Sequence, residues 1–370
     1  MSVKKIRVAV LYGGRSGEHE ISLRSAASVI ENLDRNRYEV IPIGIDKLGK
    51  WHLNDVSLIE NSKPLSIFKD TPEVLLPPNP SGTGLIAMSG GKAQGFDVIF
   101  PVMHGPLCED GAVQGLLELA DVAYVGCGVL ASAVGMDKDV AKRLVQAAGI
   151  PIAPYLVVKS EAYKRDAQAA LASFKMEFPV FVKPCNMGSS VGVHKVKEAG
   201  QLKAAIEDAF QYDTKILIEK GIDGREIEIA GLENSEAGMP PLMSVPGEII
   251  PTHEFYSYES KYLDENGATV QIPAKLTPAQ TSDLQRIARA AFIALECEGM
   301  ARVDFFLDRK TGEFCFNEVN TIPGFTSISL YPKMWEASGI RYADLLSRLI
   351  DLAIARHARK LKLKREFHSD

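Results

Sequence analysis

Two short segments near the C-terminus carry the residue types that hold a hard cation beside a phosphate. Residues 301–307 read Ala-Arg-Val-Asp-Phe-Phe-Leu, and residues 314–320 read Phe-Cys-Phe-Asn-Glu-Val-Asn. Side chains alternate faces along a strand, so Arg302 and Asp304 share a face, as do Glu318 and Asn320. Where the two faces coincide, two carboxylates and an amide converge with a guanidinium next to them. Oxygen donors alone suit Mg²⁺ rather than a redox metal. An arginine at that place suits phosphate oxygens.

Such a site needs a scaffold. Residues 308–313, Asp-Arg-Lys-Thr-Gly-Glu, have turn chemistry, so the two segments are expected to form a hairpin. Residues 1–130 alternate apolar β-rich runs (6–12, 38–45, 97–103, 122–125) with helical spacings (22–33, 113–119), the rhythm of a parallel sheet with helices on its faces. Residues 61–95, rich in Pro, Gly and Ser, are expected to be irregular. A helix over 137–148 is closed by Gly149 and Pro151. Short strands follow at 155–158, 180–183, 191–196 and 216–219, with a helix at 198–210. Further strands lie beyond Ile227, then a helix over 278–297, the hairpin, and a terminal helix from about Tyr342.

A chain of 370 residues implies two or three domains. Hydrophobic residues are 46% and charged residues 24%, the balance of a globular protein. Lys and Arg number 42 against 47 Asp and Glu, and a net charge of −5 argues against a nucleic-acid partner. No apolar run approaches the ~20 residues of a membrane span, so no membrane partner is expected. Five cysteines, odd in number and without a Cys-x-x-Cys pair, point to reduced thiols in a cytoplasm.

Other segments carry chemistry less decisively. Lys183 ends an apolar strand and opens Pro-Cys-Asn-Met-Gly-Ser-Ser-Val-Gly192. Backbone N–H groups at Gly188, Ser189 and Ser190 can cradle phosphate oxygens, although a plain hairpin accounts for the same residues. No Gly-Lys-Ser/Thr occurs, which disfavours a P-loop. Gly126-x-Gly-x-x-Ala131 fits a dinucleotide turn, but no acid follows at the distance ribose recognition wants, so a tight turn is the better reading. His104-Gly-Pro-Leu-Cys-Glu-Asp110 follows a strand and borders the usual ligand crevice; Asp110 could equally cap the next helix. Gly13-Gly-Arg-Ser-Gly-Glu18-His-Glu20 enters a helix N-terminus, where anions bind or where an acid merely complements the dipole. Residues 254–262, with Tyr256, Tyr258, Lys261 and Tyr262, read equally as a functional or a surface loop. In the run from Asn320 to Leu330, Gly324 permits close approach of backbone to a ligand, and turn formation also explains Pro323-Gly324. The basic stretch 357–365 is read as a solvated helix end.

The order of these motifs resembles the D-alanine–D-alanine ligases of the ATP-grasp superfamily, over nearly the whole chain. The resemblance implies an α/β (α+β) protein: an N-terminal preATP-grasp, Rossmann-like domain (1–137), then a two-part ATP-grasp fold (138–226 and 227–370). It implies ATP and two Mg²⁺ or Mn²⁺ as cofactors, two D-alanine molecules as substrates, and a homodimer. Asp304, Glu318 and Asn320 would hold the metals. Lys138, Lys183, Gly188, Ser189, Ser190 and Lys261 would bind ATP phosphates, and Asn317 and Glu318 would belong to the same ATP site. Glu219, Lys220 and Ile222 would meet the adenine and Glu226 the ribose. Glu18 and His104 would anchor the first D-alanine, and Ser329 and Leu330 the carboxylate of the second. Arg302 and the Gly324 N–H would face the oxyanion, while Ser189, Tyr262 and Glu18 close a loop. Cys108, Cys185, Met187 and Arg225 depart from the commonest pattern, which leaves thiol sensitivity and the phosphate-loop tip open. Relatives acting on D-serine or D-lactate, and a nucleotide-binding protein without turnover, remain as alternatives. A dehydrogenase would rest on the Gly126 turn alone.

Overall fold

The computed structural model describes residues 4–57, 65–80, 84–90, 94–251 and 268–365. Three sheets organise them. The first contains β1 (Ile6–Gly13), β2 (Tyr38–Ile45), β3 (Trp51–Leu53), β4 (Glu73–Leu75), β5 (Ile86–Ala87) and β6 (Val98–Val102), in the order β5-β4-β3-β2-β1-β6. β2, β1 and β6 are parallel, and β3 to β5 extend the sheet antiparallel. Helix α1 (His19–Asn32) and α2 (Ala112–Leu119) cover its two faces, and α3 (Val129–Met136) and α4 (Lys138–Ala147) follow. β1 is buried from Val8 onward, which is why it reads as an unbroken apolar run instead of an alternating one.

The second sheet has the order β7-β10-β8-β9, from β7 (Tyr155–Lys159), β8 (Val180–Pro184), β9 (His194–Val196) and β10 (Lys215–Lys220). Helices α5 (Ser160–Arg165) and α6 (Ala167–Ala170) follow β7, and α7 (Ala199–Ala209) packs Leu202, Ala205 and Ile206 against Val180, Val182 and Ile218. The third sheet comprises β11 (Gly224–Leu232), β12 (Leu242–Met243), β13 (Gly247–Pro251), β14 (Ala268–Gln271), β15 (Met300–Asp308) and β16 (Phe314–Asn320). Its path is β14-β13-β11-β15-β16, with β12 on β11. Helix α8 (Pro278–Ala294) lies on it and starts at a capping box: Thr277 accepts from the Gln280 N–H and Gln280 returns to the Thr277 N–H. The last helices, α9 (Leu330–Ala337) and α10 (Tyr342–Lys360), return to the first sheet, where Phe325, Tyr331, Trp335 and Leu349 share a core with Val8, Val10 and Val29.

The structure corrects three local expectations. Residues 122–125 make only a bridge, Tyr124 to Ile99, since a chain turning past Asp121 (φ 52°) meets the sheet too briefly to form a strand. Residues 191–193 belong to a turn, and the strand starts at His194. The Pro- and Gly-rich stretch contains two short strands, β4 and β5, that need only two or three backbone partners each. Gly149 ends α4 at φ +78°, a conformation that favours glycine. Among the described residues no helix is long and apolar enough to cross a membrane.

Candidate active site

The hairpin forms with the expected faces coincident. Arg302 stands opposite Asn320 and Asp304 opposite Glu318, with a register shift immediately beyond Asp304. Arg302 grips Asp304 with two hydrogen bonds, Nε to Oδ1 at 2.8 Å and Nη2 to Oδ2 at 2.7 Å. Asn320 Nδ2 donates to the same Oδ2 at 2.9 Å. On the other side β11 brings Glu228 opposite Asp304, 2.9 Å from Arg302 Nε. Two carboxylates in register repel. Each here has a cation: Arg302 on Asp304 and Lys138, at 3.2 Å, on Glu318. Among the described residues no three His, Cys, Asp or Glu side chains gather as a metal nest. The donors are two carboxylates and one amide, all oxygen, and that set fits a hard divalent ion better than zinc or copper.

The cations come from the second sheet and α4. Asp137 caps α4, accepting from the Val140 N–H at 3.1 Å, and Lys138 begins the helix. Its Nζ donates to the Met187 carbonyl at 2.7 Å. Lys183, the last residue but one of β8, is buried, 2.6 Å from Glu219 Oε2 and 3.4 Å from Asn317 Oδ1. Burial opposes the Lys183 charge, but Glu219 outweighs it and raises the pKa. Glu219 does not reach outward toward an adenine. Its side chain is 3% exposed and lies between Lys183 and Lys142, whose Nζ is 2.5 Å from Oε1. Burial would raise its pKa; the two ammoniums overcome that and hold it at about 2. Any nucleobase contact from Glu219 is therefore left to its backbone.

Residues 186–193 form the loop between β8 and β9. Asn186 anchors its base, with N and Nδ2 donating to Asp213 Oδ2 at 2.7 and 3.0 Å. At the tip Ser189 and Ser190 have φ of 53° and 59°, and the Val191 N–H closes the turn onto Gly188 O at 3.1 Å. Two consecutive left-handed serines are strained, by ~1–2 kcal/mol each. The Ser189 hydroxyl is bound by the Glu18 carboxylate, 171 residues away. A Cβ at Gly188 would lie 3.3 Å from Glu18 Oε2, so the loop backbone approaches the acid directly.

Glu18 sits at the start of α1, beside the turn after β1, with its N–H on Ser16 Oγ at 3.2 Å. His104 is buried, with Nε2 3.0 Å from Ser25 Oγ and Nδ1 3.2 Å from Ile322 O and 3.5 Å from Glu109. Burial would lower its pKa, but Glu109 and Glu18 raise it overall. Ser25 also accepts from the Phe325 N–H at 3.3 Å, so the first sheet is tied to the segment around Gly324. A Cβ at Gly324 would stand 2.8 Å from Ser329 Oγ, so a larger residue would have to displace that hydroxyl. Ser329 accepts from the Thr326 N–H at 3.0 Å and begins α9, with Leu330 as its first residue.

The structure thus gathers Glu18, His104, Lys138, Lys183, Gly188, Ser189, Ser190, Arg302, Asp304, Asn317, Glu318, Asn320, Gly324 and Ser329 around one region. Lys220, Ile222 and Glu226 line the passage from β10 into β11, and Glu226 adds to the field that favours the Lys183 charge. Lys261 and Tyr262 lie outside the described residues. The departures from pattern are accommodated. Arg225 makes a bidentate pair with Glu248, at 2.7 and 2.6 Å. Cys108 and Cys185 are buried, with thiols pushed up by that burial, so both stay protonated. Sequence reasoning missed Lys142, Glu228 and Asp213. Two had a signal: Lys142 stands one helical turn after Lys138, and Glu228 shares the strand face of Glu226.

Two antiparallel sheets that close on lysines and a carboxylate hairpin, behind an α/β domain, define an ATP-grasp ligase. Residues 7–127 match the D-ala D-ala ligase N-terminus and residues 144–351 the D-ala D-ala ligase C-terminus. The chain is 59% identical to D-alanine--D-alanine ligase A of Bradyrhizobium diazoefficiens, covering 99% of both, and 48% identical to the D-alanine--D-alanine ligase of Oceanobacillus iheyensis, covering 97% of this chain and 98% of that one. The VanG D-Ala:D-Ser ligase from Enterococcus faecalis superposes with a TM-score of 0.81 at 36% identity, over 95% of this chain and 100% of that one. The D-alanine-D-alanine ligase from Coxiella burnetii gives 0.81 at 36% identity, over 97% of each. This chain belongs to the D-alanine–D-alanine ligase family.

Proposed function

We propose that this chain joins two D-alanines to D-alanyl-D-alanine for peptidoglycan precursor synthesis, using ATP and a divalent metal. The observation that carries the reading is the register of the hairpin, Asp304 on Glu318 and Arg302 on Asn320, facing Lys138. A carboxylate oxygen of the first D-alanine attacks the γ-phosphorus; the new O–P bond replaces the bond to ADP, which leaves. The amine of the second D-alanine then attacks the acyl carbon, loses a proton, and displaces phosphate. Lys138, Lys183 and the 188–190 backbone hold phosphate charge, which is most of what phosphoryl transfer requires of a protein. Asp304, Glu318 and Asn320 would hold two Mg²⁺ or Mn²⁺. The metals, when bound, offset the charge on the transferring phosphoryl group. Glu18, with His104 behind it, binds the ammonium of the first substrate. Arg302 and the Gly324 N–H meet the oxyanion of the tetrahedral intermediate, and Ser329 and Leu330 take the second carboxylate. Ser189 and Tyr262 would join Glu18 in closing the site, with Lys261 reaching the phosphates, because water would hydrolyse an acyl phosphate. A cytoplasmic homodimer completes the proposal.

The test is phosphate release from ATP and Mg²⁺ with D-alanine, L-alanine, D-serine or D-lactate. D-alanine-dependent release is expected, falling at least a hundredfold in Glu318→Gln with thermal unfolding little changed. No release with D-alanine would sink the reading. The whole-length likeness to a D-Ala:D-Ser ligase supports a second reading. A mixed dipeptide outpacing D-alanyl-D-alanine in the same assay would favour it.

A further inference from the structure

Lys142 has no part in the chemistry described so far, yet it is a lysine with 1% exposure. Buried lysines are costly unless paired. Its Nζ lies 2.5 Å from Glu219 Oε1, 3.3 Å from the Phe316 carbonyl and 5.8 Å from the centre of the Phe316 ring. All three contacts are with protein groups, Glu219 and Phe316. Lys183 holds the other oxygen of the same carboxylate, at 2.6 Å. The two lysines reach it from different layers. Lys183 comes from β8, diagonal to Glu219 across the β8–β10 pair, and Lys142 comes from α4, which packs on β16.

One carboxylate between two ammoniums is an unequal arrangement. If Lys183 were the sole partner, drawing it to a phosphate would strand a buried anion, and uncompensated buried charge is costly. A second ammonium that stays in place removes that obstacle. We propose that Lys142 is a positioning residue: it retains the charge of Glu219 so that Lys183 can be given over to ATP. The inference rests on the reading of Lys183 as a phosphate ligand. The low pKa of Glu219 agrees with it, since the carboxylate is ionised whenever the site is in use.

The experiment measures ATP affinity, by titration with Mg²⁺ present, together with kcat and the KM for D-alanine. Lys142→Met is expected to weaken ATP binding at least tenfold with the D-alanine KM within threefold of the parent, because Glu219 then keeps Lys183. Adding Glu219→Gln removes the competitor, so Lys142→Met/Glu219→Gln recovers ATP affinity to within about threefold of the parent. A purely structural role for Lys142 predicts the opposite, a double variant no better than the single one, and that result overturns the proposal. So does an unchanged ATP affinity in Lys142→Met. If that variant does not fold, Lys142→Arg decides: its guanidinium keeps the charge on Glu219 and ATP affinity stays within threefold, whereas a tenfold loss overturns the idea. Lys183→Met is the separate control. Undiminished ATP binding there would remove Lys183 from the phosphate site, a failure of the underlying reading and not of the Lys142–Glu219 pair.

Discussion

The contact between Ser189 and Glu18 is the point at which the loop between β8 and β9 is held against the start of α1, and its strength follows from the groups involved. A hydrogen bond to a carboxylate contributes roughly 1.5–3 kcal/mol net, and this one is half-buried, so about 2 kcal/mol is reasonable. Against it stands the strain of a serine at φ 53°, ~1–2 kcal/mol. Two substitutions separate the terms. Ser189→Ala removes the hydroxyl and keeps the strain, so the loop opens about 2 kcal/mol more easily, or roughly thirtyfold. Ser189→Gly removes both. Part of its relief is cancelled by the greater freedom of glycine in the opened loop, leaving about 1 kcal/mol, or roughly fivefold. Amide exchange reads this directly, because the Val191 and Val193 N–H groups bond back to Gly188 and Ser190 across the turn. Exchange at both amides should accelerate about thirtyfold in Ser189→Ala and about fivefold in Ser189→Gly. Phosphate released per dipeptide should rise above one in the same order, as water reaches the acyl phosphate. Equal exchange in the two variants would refute the strain argument. No acceleration in either would show that Glu18 does not hold the loop.

Two further outcomes follow from the pairing of buried charge. Arg356 is 5% exposed, donates to Gly126 O at 2.7 Å and Tyr124 O at 2.8 Å, and stacks 4.5 Å over the Tyr124 ring. Arg356→Met leaves both carbonyls without that donor and is expected to cost about 3 kcal/mol in urea unfolding; a loss below about 1 kcal/mol would show that water replaces the guanidinium. Glu219 has a folded-state pKa depressed to about 2 from the ordinary 4.5. Its ion pairs therefore stabilise fully above about pH 4.5, and that stability is lost as pH falls toward about 2. Between pH 5 and 3 the urea midpoint of the parent should fall more steeply than that of Glu219→Gln; parallel slopes would contradict the depressed pKa.

Legibility in the sequence followed the range of the interaction. The hairpin was readable because period-two alternation puts Arg302 with Asp304 and Glu318 with Asn320, and the turn chemistry lies between them. β1, α1 and β2 were readable for the same local reason. The strand expected at 122–125 failed because its β-rich composition says nothing about where the chain turns relative to the sheet. Lys142 was passed over because a lysine on a helix ordinarily faces water; its burial depends on Glu219, from another sheet, and on Phe316. Glu219 was placed on the correct strand, but the partners of its side chain were hidden for the same reason: two lysines distant in sequence claim it.

The cations that face the ligand region share one design. Lys183 is held by Glu219, which also has Lys142. Arg302 is held by Asp304 and also by Glu228. Lys138 is held by Glu318 and also by the Met187 carbonyl. In each case one group in the arrangement has a second internal partner. Two of the carboxylates, Asp304 and Glu318, are the proposed metal ligands. Binding then need not add a large charge to a vacant pocket. Metals taking Asp304 and Glu318 would release Arg302 and Lys138 toward phosphate and oxyanion, while Glu228 and Met187 O keep those side chains oriented. An exchange of partners avoids stranding charge in a low-dielectric interior, where an unpaired ion is most costly. It also explains how residues this strongly charged fold stably side by side before any nucleotide arrives.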